Sequence, residues 1–247
     1  MSLLQGKKAL LTGASRGIGA AIACALAKEG ASLTLVAHPH HEQDLKQCAD
    51  KAKGCGAKEC NTHTIDFADT AAVQKFADQC ASQNYDVLIN NAAIFGSHKA
   101  EELGPLKGNP DDWDRVMKVN ALAPMRLIRS LAPKMCDKGE GWIINIGDVE
   151  AVHEGPHHPA YAASKFALRG FGLSAYEALR KHNVRVVDIA PGNVAQTGMA
   201  DKSDMHGGQG AFNPDDVAEA VLFCFRLSKN AVPEEIVLKA VKPGTAA

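Results

Sequence analysis

Short apolar runs alternate with longer segments of helical period along almost the whole chain, and nothing else restricts its fold as strongly. Ala9 to Thr12 is followed by a helical segment from Gly17 to Glu29, Ser32 to Ala37 by one from about His41 to Lys53, and Cys60 to Ile65 by one from Thr70 to Ser82. The rhythm continues with Val87 to Asn90, a long helix from about Asp111 to Cys136, Trp142 to Ile146, a helix from about Ala160 to His182, and Val184 to Ala190. Runs such as Val87, Leu88, Ile89 and Ile143, Ile144 are apolar on both faces, which requires helices on both sides of a parallel sheet. A last helix is expected from Pro214, capped by Asn213, and a last strand at Glu235 to Leu238. The expectation is an α/β fold in one domain over residues 1–247: a doubly wound, parallel, seven-stranded sheet with helices on both faces. The glycine-rich, aperiodic stretch at about 192–213 reads as a flexible loop beside a substrate.

The net charge of −1, with no long run of one sign, gives no footprint for nucleic acid or an anionic membrane, so a small molecule is the expected partner. The longest apolar stretch, Ala20 to Ala27, is too short to span a bilayer. Met1 to Lys8 lacks the apolar core of a signal peptide, so cytoplasmic residence is expected. The seven cysteines are scattered without metal-binding or CxxC spacing and read as reduced thiols, several of them in the core. No metal site is expected.

Between the first strand and first helix stands Thr12, Gly13, Ala14, Ser15, Arg16, Gly17, Ile18, Gly19. Glycines at these places let the backbone approach a pyrophosphate, while the N–H groups opening the helix face the anion. Dinucleotide binding is therefore predicted, with Gly13, Ser15, Arg16, Gly17, Ile18 and Gly19 in contact. An acid ending the second strand would hold the ribose hydroxyls of NAD, but the strand ends Val36, Ala37, His38, Pro39. With no carboxylate to repel a 2′-phosphate and Arg16 available to pair with one, NADP(H) is favoured over NAD(H). His38 is a candidate contact, although His38, His40 and His41 read first as a solvated loop.

Tyr161 and Lys165 stand four residues apart in a helix, so a phenol and an ammonium share one face. A nearby cation favours the phenolate and makes the tyrosine a usable acid or base for an alcohol/carbonyl pair. The TGxxxGxG turn and the YxxxK pair, in this order among the βα units, resemble the short-chain dehydrogenase/reductase superfamily over nearly the full length. The resemblance implies a Rossmann-like oxidoreductase, most simply an NADP(H)-dependent carbonyl or 3-ketoacyl reductase with Tyr161 as general acid and Lys165 also holding ribose hydroxyls. It further implies that Asp66 holds the adenine amino group and that Asn91 and Ala92, in an NNAA segment, brace the sheet and line the cofactor. Asn120 would support a water-linked proton relay. Pro191, Gly192, Val194 and Thr197, matching PGxxxxT, would contact the nicotinamide. The resemblance also implies a homodimer or homotetramer assembled through the two long helices.

One position departs from the pattern: thirteen residues before Tyr161, where the superfamily usually has serine, stands Asp148. An ionised carboxylate cannot donate the hydrogen bond that a serine gives to a developing oxyanion. Three readings stay open. Asp148 works protonated; it serves a special substrate, as in pteridine reductases, which resemble this chain in Asp148, Tyr161 and Lys165; or the chain is a catalytically impaired NADP(H)-binding regulator. The Pro191 to Met199 segment and the ending Pro233 to Leu238 look more like ordinary carbonyl or ketoacyl reductases. His153, His157 and His158 border the expected substrate pocket and read as a solvated loop.

Overall fold

The computed structural model describes residues 2–97, 102, 104–149, 158–195 and 211–241. Strands β1 (Lys8–Thr12), β2 (Ser32–Ala37), β3 (Cys60–Thr64), β4 (Val87–Asn90), β5 (Gly141–Ile146), β6 (Val184–Pro191) and β7 (Glu235–Leu238) form one seven-stranded sheet in the order 3-2-1-4-5-6-7. Every pairing is parallel. The helices are α1 (Gly17–Lys28), α2 (Glu42–Cys55), α3 (Thr70–Ala81), α4 (Pro110–Met117), α5 (Ala123–Lys138), α6 (Pro159–Leu179) and α7 (Pro214–Arg226).

Because side chains alternate across a strand, the sheet feeds two cores. Leu11, Ile89, Ile144 and Val187 pack with α1, α2 and α7. Leu10, Leu88, Ile143 and Val186 pack with α3, α5 and α6. This is the Rossmann-like, doubly wound sheet expected from the alternation of periods. Local chemistry fixes the helix starts: Asp69 accepts from the N–H groups of Ala71 and Ala72, and α7 opens on Pro214 behind a reciprocal Asn213–Asp216 cap.

Two expectations need correction. The single long helix is two, because a π turn, Lys118–Leu122, separates α4 from α5. Pro124 has no N–H to offer the carbonyl of Asn120, so the regular hydrogen-bond ladder cannot run through this point. The cysteines are not all reduced: Cys24 of α1 and Cys55 at the end of α2 are joined in a disulfide. They meet because the two helices pack side by side on one face of the sheet, which their spacing in sequence does not reveal. Cys48, Cys80 and Cys224 are buried free thiols, as expected.

Among the described residues no helix is long and apolar enough to cross a membrane, and no cluster of side chains could hold a metal. From β1 the chain winds outward to β2 and β3, and β4 begins on the other side of β1. In such sheets the crevice outside the carboxyl ends of the strands, where the winding reverses, is the natural place for a ligand.

Candidate active site

A cleft of about 510 Å³ lies at that reversal. One end is the β1–α1 turn, where Gly13, Ser15, Arg16, Ile18 and Gly19 face the space. Gly13 has φ +66° and Gly17 +52°, both in the left-handed region that glycine tolerates. A side chain on Gly19 would collide with the Gly13 carbonyl, so the turn can close only with glycine there.

Asn91 and Thr12 pin this turn to the end of β4. The Asn91 Nδ2 donates to the carbonyls of Thr12 (3.0 Å) and Gly13 (2.9 Å). The Thr12 hydroxyl accepts from the N–H groups of Asn91 (3.0 Å) and Ala92 (3.1 Å). Thr12, which sequence reasoning does not single out as a site residue, thus holds the two loops of the cleft together.

His38 and Asp66 line the outer flank. His38 Nδ1 accepts from the N–H of His40 at 3.2 Å, starting a short turn, and its Nε2 lies 3.8 Å from Asp66 Oδ1. Asp66 also accepts from the N–H of Ala68 at 2.8 Å. Arg16 is exposed and makes no ion pair among the described residues.

Asp148, Tyr161 and Lys165 line the other end. Tyr161 is 2% exposed and donates its hydroxyl to Asp148 Oδ2 at 2.7 Å. Lys165, one helical turn on and similarly buried, donates to the Ile146 carbonyl at 2.9 Å, with its ammonium 5.5 Å from the centre of the tyrosine ring. Phe95 packs on that ring at 4.2 Å between centroids. His158 stacks on Phe95 at 5.3 Å and is 8% exposed, so the solvated-loop reading is wrong for this histidine. Burial at the start of α6, against an aromatic ring from a different loop, is a contact that no sequence spacing announces. His153 and His157 lie outside the described residues.

Asn120 sits in the π turn, buried just behind the cleft wall. Its amide oxygen accepts from the N–H of Ile94 at 2.8 Å, while Nδ2 donates to the Ile94 carbonyl (2.8 Å) and to Ser164 Oγ (3.0 Å). The side chain therefore braces the loop after β4 against α6. Pro191 at the end of β6, with Gly192 and Val194 after it, completes the wall. Thr197 and most of the 192–213 segment lie outside the described residues.

The glycine turn and the Tyr161–Lys165 pair line one and the same cleft. The sequence profile of the short chain dehydrogenase family matches residues 7–206. The chain belongs to the short chain dehydrogenase family. It is 35% identical over 196 residues to a short chain dehydrogenase of Pseudocercospora fijiensis, covering 77% of this chain and 60% of that one. It is 32% identical over 246 residues to the ketoacyl reductase HetN of Nostoc sp., covering 96% of this chain and 80% of the relative. Among solved structures, a metagenomic short-chain oxidoreductase in complex with NADP superposes with a TM-score of 0.80 at 34% identity, covering 96% of this chain and 98% of that one. As a short chain dehydrogenase the protein is an oxidoreductase of a small-molecule substrate that uses a nicotinamide cofactor.

Proposed function

We propose that this short chain dehydrogenase is an NADP(H)-dependent reductase of a ketone or 3-ketoacyl compound, with Tyr161 as the proton donor. The observation that carries the reading is the Tyr161–Lys165 pair in the same cleft as the glycine turn. The residues present fit a phosphorylated dinucleotide. Open N–H groups at the start of α1 suit a pyrophosphate, the tip of β2 carries no carboxylate, and Arg16 is available for a 2′-phosphate. Gly13, Ser15, Ile18, Gly19, Asn91 and Ala92 would hold the nucleotide, and Pro191, Gly192 and Val194 its nicotinamide end. The bound cofactor supplies the hydride.

The chain supplies the proton and the field. As negative charge builds on the substrate oxygen, the Tyr161 hydroxyl releases its proton to it, and the Lys165 ammonium beside the ring stabilises the phenolate left behind. Burial of both groups strengthens that interaction by excluding water. Asn120, in a π turn where Pro124 withholds a donor from its carbonyl, would help return a proton through water. The ketoacyl reductase relative and the NADP-bound neighbour support this substrate class and cofactor.

Asp148 favours a second reading of the substrate. It accepts the Tyr161 hydroxyl at 2.7 Å, and a carboxyl that carries its own proton can donate to a substrate as serine does, in a set of Asp148, Tyr161 and Lys165 that resembles the pteridine reductases. We also infer a homodimer or homotetramer, on the strength of an apolar groove between α5 and α6 lined by Leu122, Met125, Ile128, Phe171 and Leu179.

The test follows loss of the reduced-nicotinamide absorbance with ketones, a 3-ketoacyl thioester and a pterin. Tyr161→Phe should abolish turnover while leaving NADPH binding within a few-fold; turnover that persists would reject the assignment. Asp148→Ser separates the readings of the aspartate. A fall in rate makes the carboxyl part of the working site, and turnover appearing only in the variant marks the natural chain as a binder.

A further inference from the structure

The buried side-chain polar atoms without a hydrogen-bond partner among the described residues are Asn90 Oδ1, Asn145 Nδ2 and Asp188 Oδ1. All three lie in one row across the sheet. Register places Asn90 beside Asn145, Asn145 beside Asp188, and Asp188 beside Glu235. The parity of Leu88, Ile143 and Val186 directs the row toward the core that contains α6. Asn90 Nδ2 donates to Asn145 Oδ1 at 2.9 Å. α6 lies directly above: a Cβ on Gly172 would strike Asp188 Oδ2 and come within 3.0 Å of Asn145 Nδ2. Only a glycine in α6 leaves room for this carboxyl.

The face of α6 that covers the row carries Lys165, Arg169 and Gly172, at helical spacings of four and three. Lys165 reaches the carbonyl of Ile146, the residue after Asn145. Arg169 forms a bidentate pair with Glu235, Nε to Oε1 at 2.6 Å and Nη2 to Oε2 at 3.1 Å. Asp188, 4% exposed, thus lies between the cation that serves Tyr161 and an ion pair at the sheet edge. A buried carboxyl without a full set of donors is expensive to keep in a core, and its position behind the reactive lysine gives it a use.

We infer that Asp188 is a positioning residue for the Tyr161–Lys165 pair: its buried carboxyl offsets part of the Lys165 field, and the Arg169–Glu235 pair sets how much. The inference rests on the reading of Tyr161 and Lys165 as the proton-transfer pair. Burial pushes the Asp188 carboxyl up to about 7. The Asn145 amide pulls it back, although that amide stays outside hydrogen-bond geometry, Glu235 raises it, and the Arg169 and Lys165 cations lower it. The groups facing it are therefore Asn145 from β5, Glu235 from β7, and Lys165 and Arg169 from α6, with Asn90 of β4 one step away. Its charge changes within the neutral pH range. When it is ionised, less of the ammonium field reaches the phenol and Tyr161 holds its proton more tightly; when it is neutral, the phenol is more acidic.

Two measurements test this. In the first, Asp188→Asn, which keeps the shape and fixes the neutral charge, should move the tyrosine-dependent limb of the kcat–pH profile to lower pH by about half a unit, as a coulombic coupling at an effective dielectric near 20 allows. KM should stay within twofold. A profile that superimposes on the natural one overturns the proposal. The second needs no turnover: the Asp188 carboxyl is titrated by carbon NMR, assigned through its own Cβ. Its midpoint should rise in Lys165→Met and in Arg169→Gln and fall in Glu235→Gln. An unchanged midpoint in Lys165→Met overturns the coupling, whether or not Asp188→Asn folds. If the natural protein turns over no carbonyl compound, the proposed function fails while this titration still decides the coupling.

Discussion

A tyrosine that must pass a proton to a substrate cannot keep that proton on an aspartate. Tyr161 donates its hydroxyl to Asp148 at 2.7 Å, so a substrate oxygen entering the site either displaces Asp148 from that hydroxyl or takes a hydrogen bond from the carboxyl. The choice of cofactor also rests on single side chains. Arg16 is the cation of the glycine turn that faces the cleft, whereas Asp66 opposes a phosphate nearby and is already engaged by His38 and the N–H of Ala68. Arg16→Ala should therefore weaken NADPH binding by about 10- to 100-fold, the worth of one or two hydrogen bonds to a charged group, and leave NADH within threefold. Fluorescence titration of each reduced nucleotide reads the difference. Equal losses for both would mean that Arg16 shapes the turn without contacting a 2′-phosphate.

α1 carries the glycine turn and α2 follows the His38 flank, and the Cys24–Cys55 disulfide ties these helices together. The bridge closes a sequence separation of 31 residues, and in the chain-entropy picture such a loop contributes about 3–4 kcal/mol. Reduction, or Cys24→Ser, should lower the melting temperature by roughly 10 °C for a chain of this size, and reductant should have no further effect on the variant. Scanning fluorimetry with and without reductant makes the comparison, and a melting temperature indifferent to reductant would remove the bridge from the stability account. The bridge is illegible in the sequence because the contact belongs to helix packing. The strands are legible, since composition and period alone bound Ser32–Ala37, Val87–Asn90 and Glu235–Leu238. The π turn is hidden because an averaged helical period runs straight across Asn120; Pro124 is the local sign. In the site, the glycine turn and the Tyr161–Lys165 spacing can be read directly. Phe95, Thr12 and Asp188 act through strand register and loop contacts, which exist only after folding.

At the scale of the whole molecule, the buried carboxyl ties stability to pH. Burial pushes the Asp188 carboxyl up to about 7 in the folded chain, against about 4 for an ordinary aspartate in an unfolded one. Below about pH 4 both states carry the proton, and the group favours neither. Between about pH 4 and 7 the unfolded chain has released the proton while the native state keeps it, so the native state binds more protons and stability falls as pH rises. Above about 7 the loss is complete, on the order of 4 kcal/mol at roughly 1.4 kcal/mol for each pH unit between the two midpoints. Asp188→Asn has no charge to desolvate, so its stability relative to the natural chain should climb from pH 5 to pH 8. The histidines are common to both proteins, and their contributions cancel in the difference. Urea unfolding at four pH values measures it. Curves that stay parallel from pH 5 to 8 would mean that the carboxyl is already ionised at the lower end, stabilised within its row by more than the Asn145 amide and the Lys165 and Arg169 cations supply.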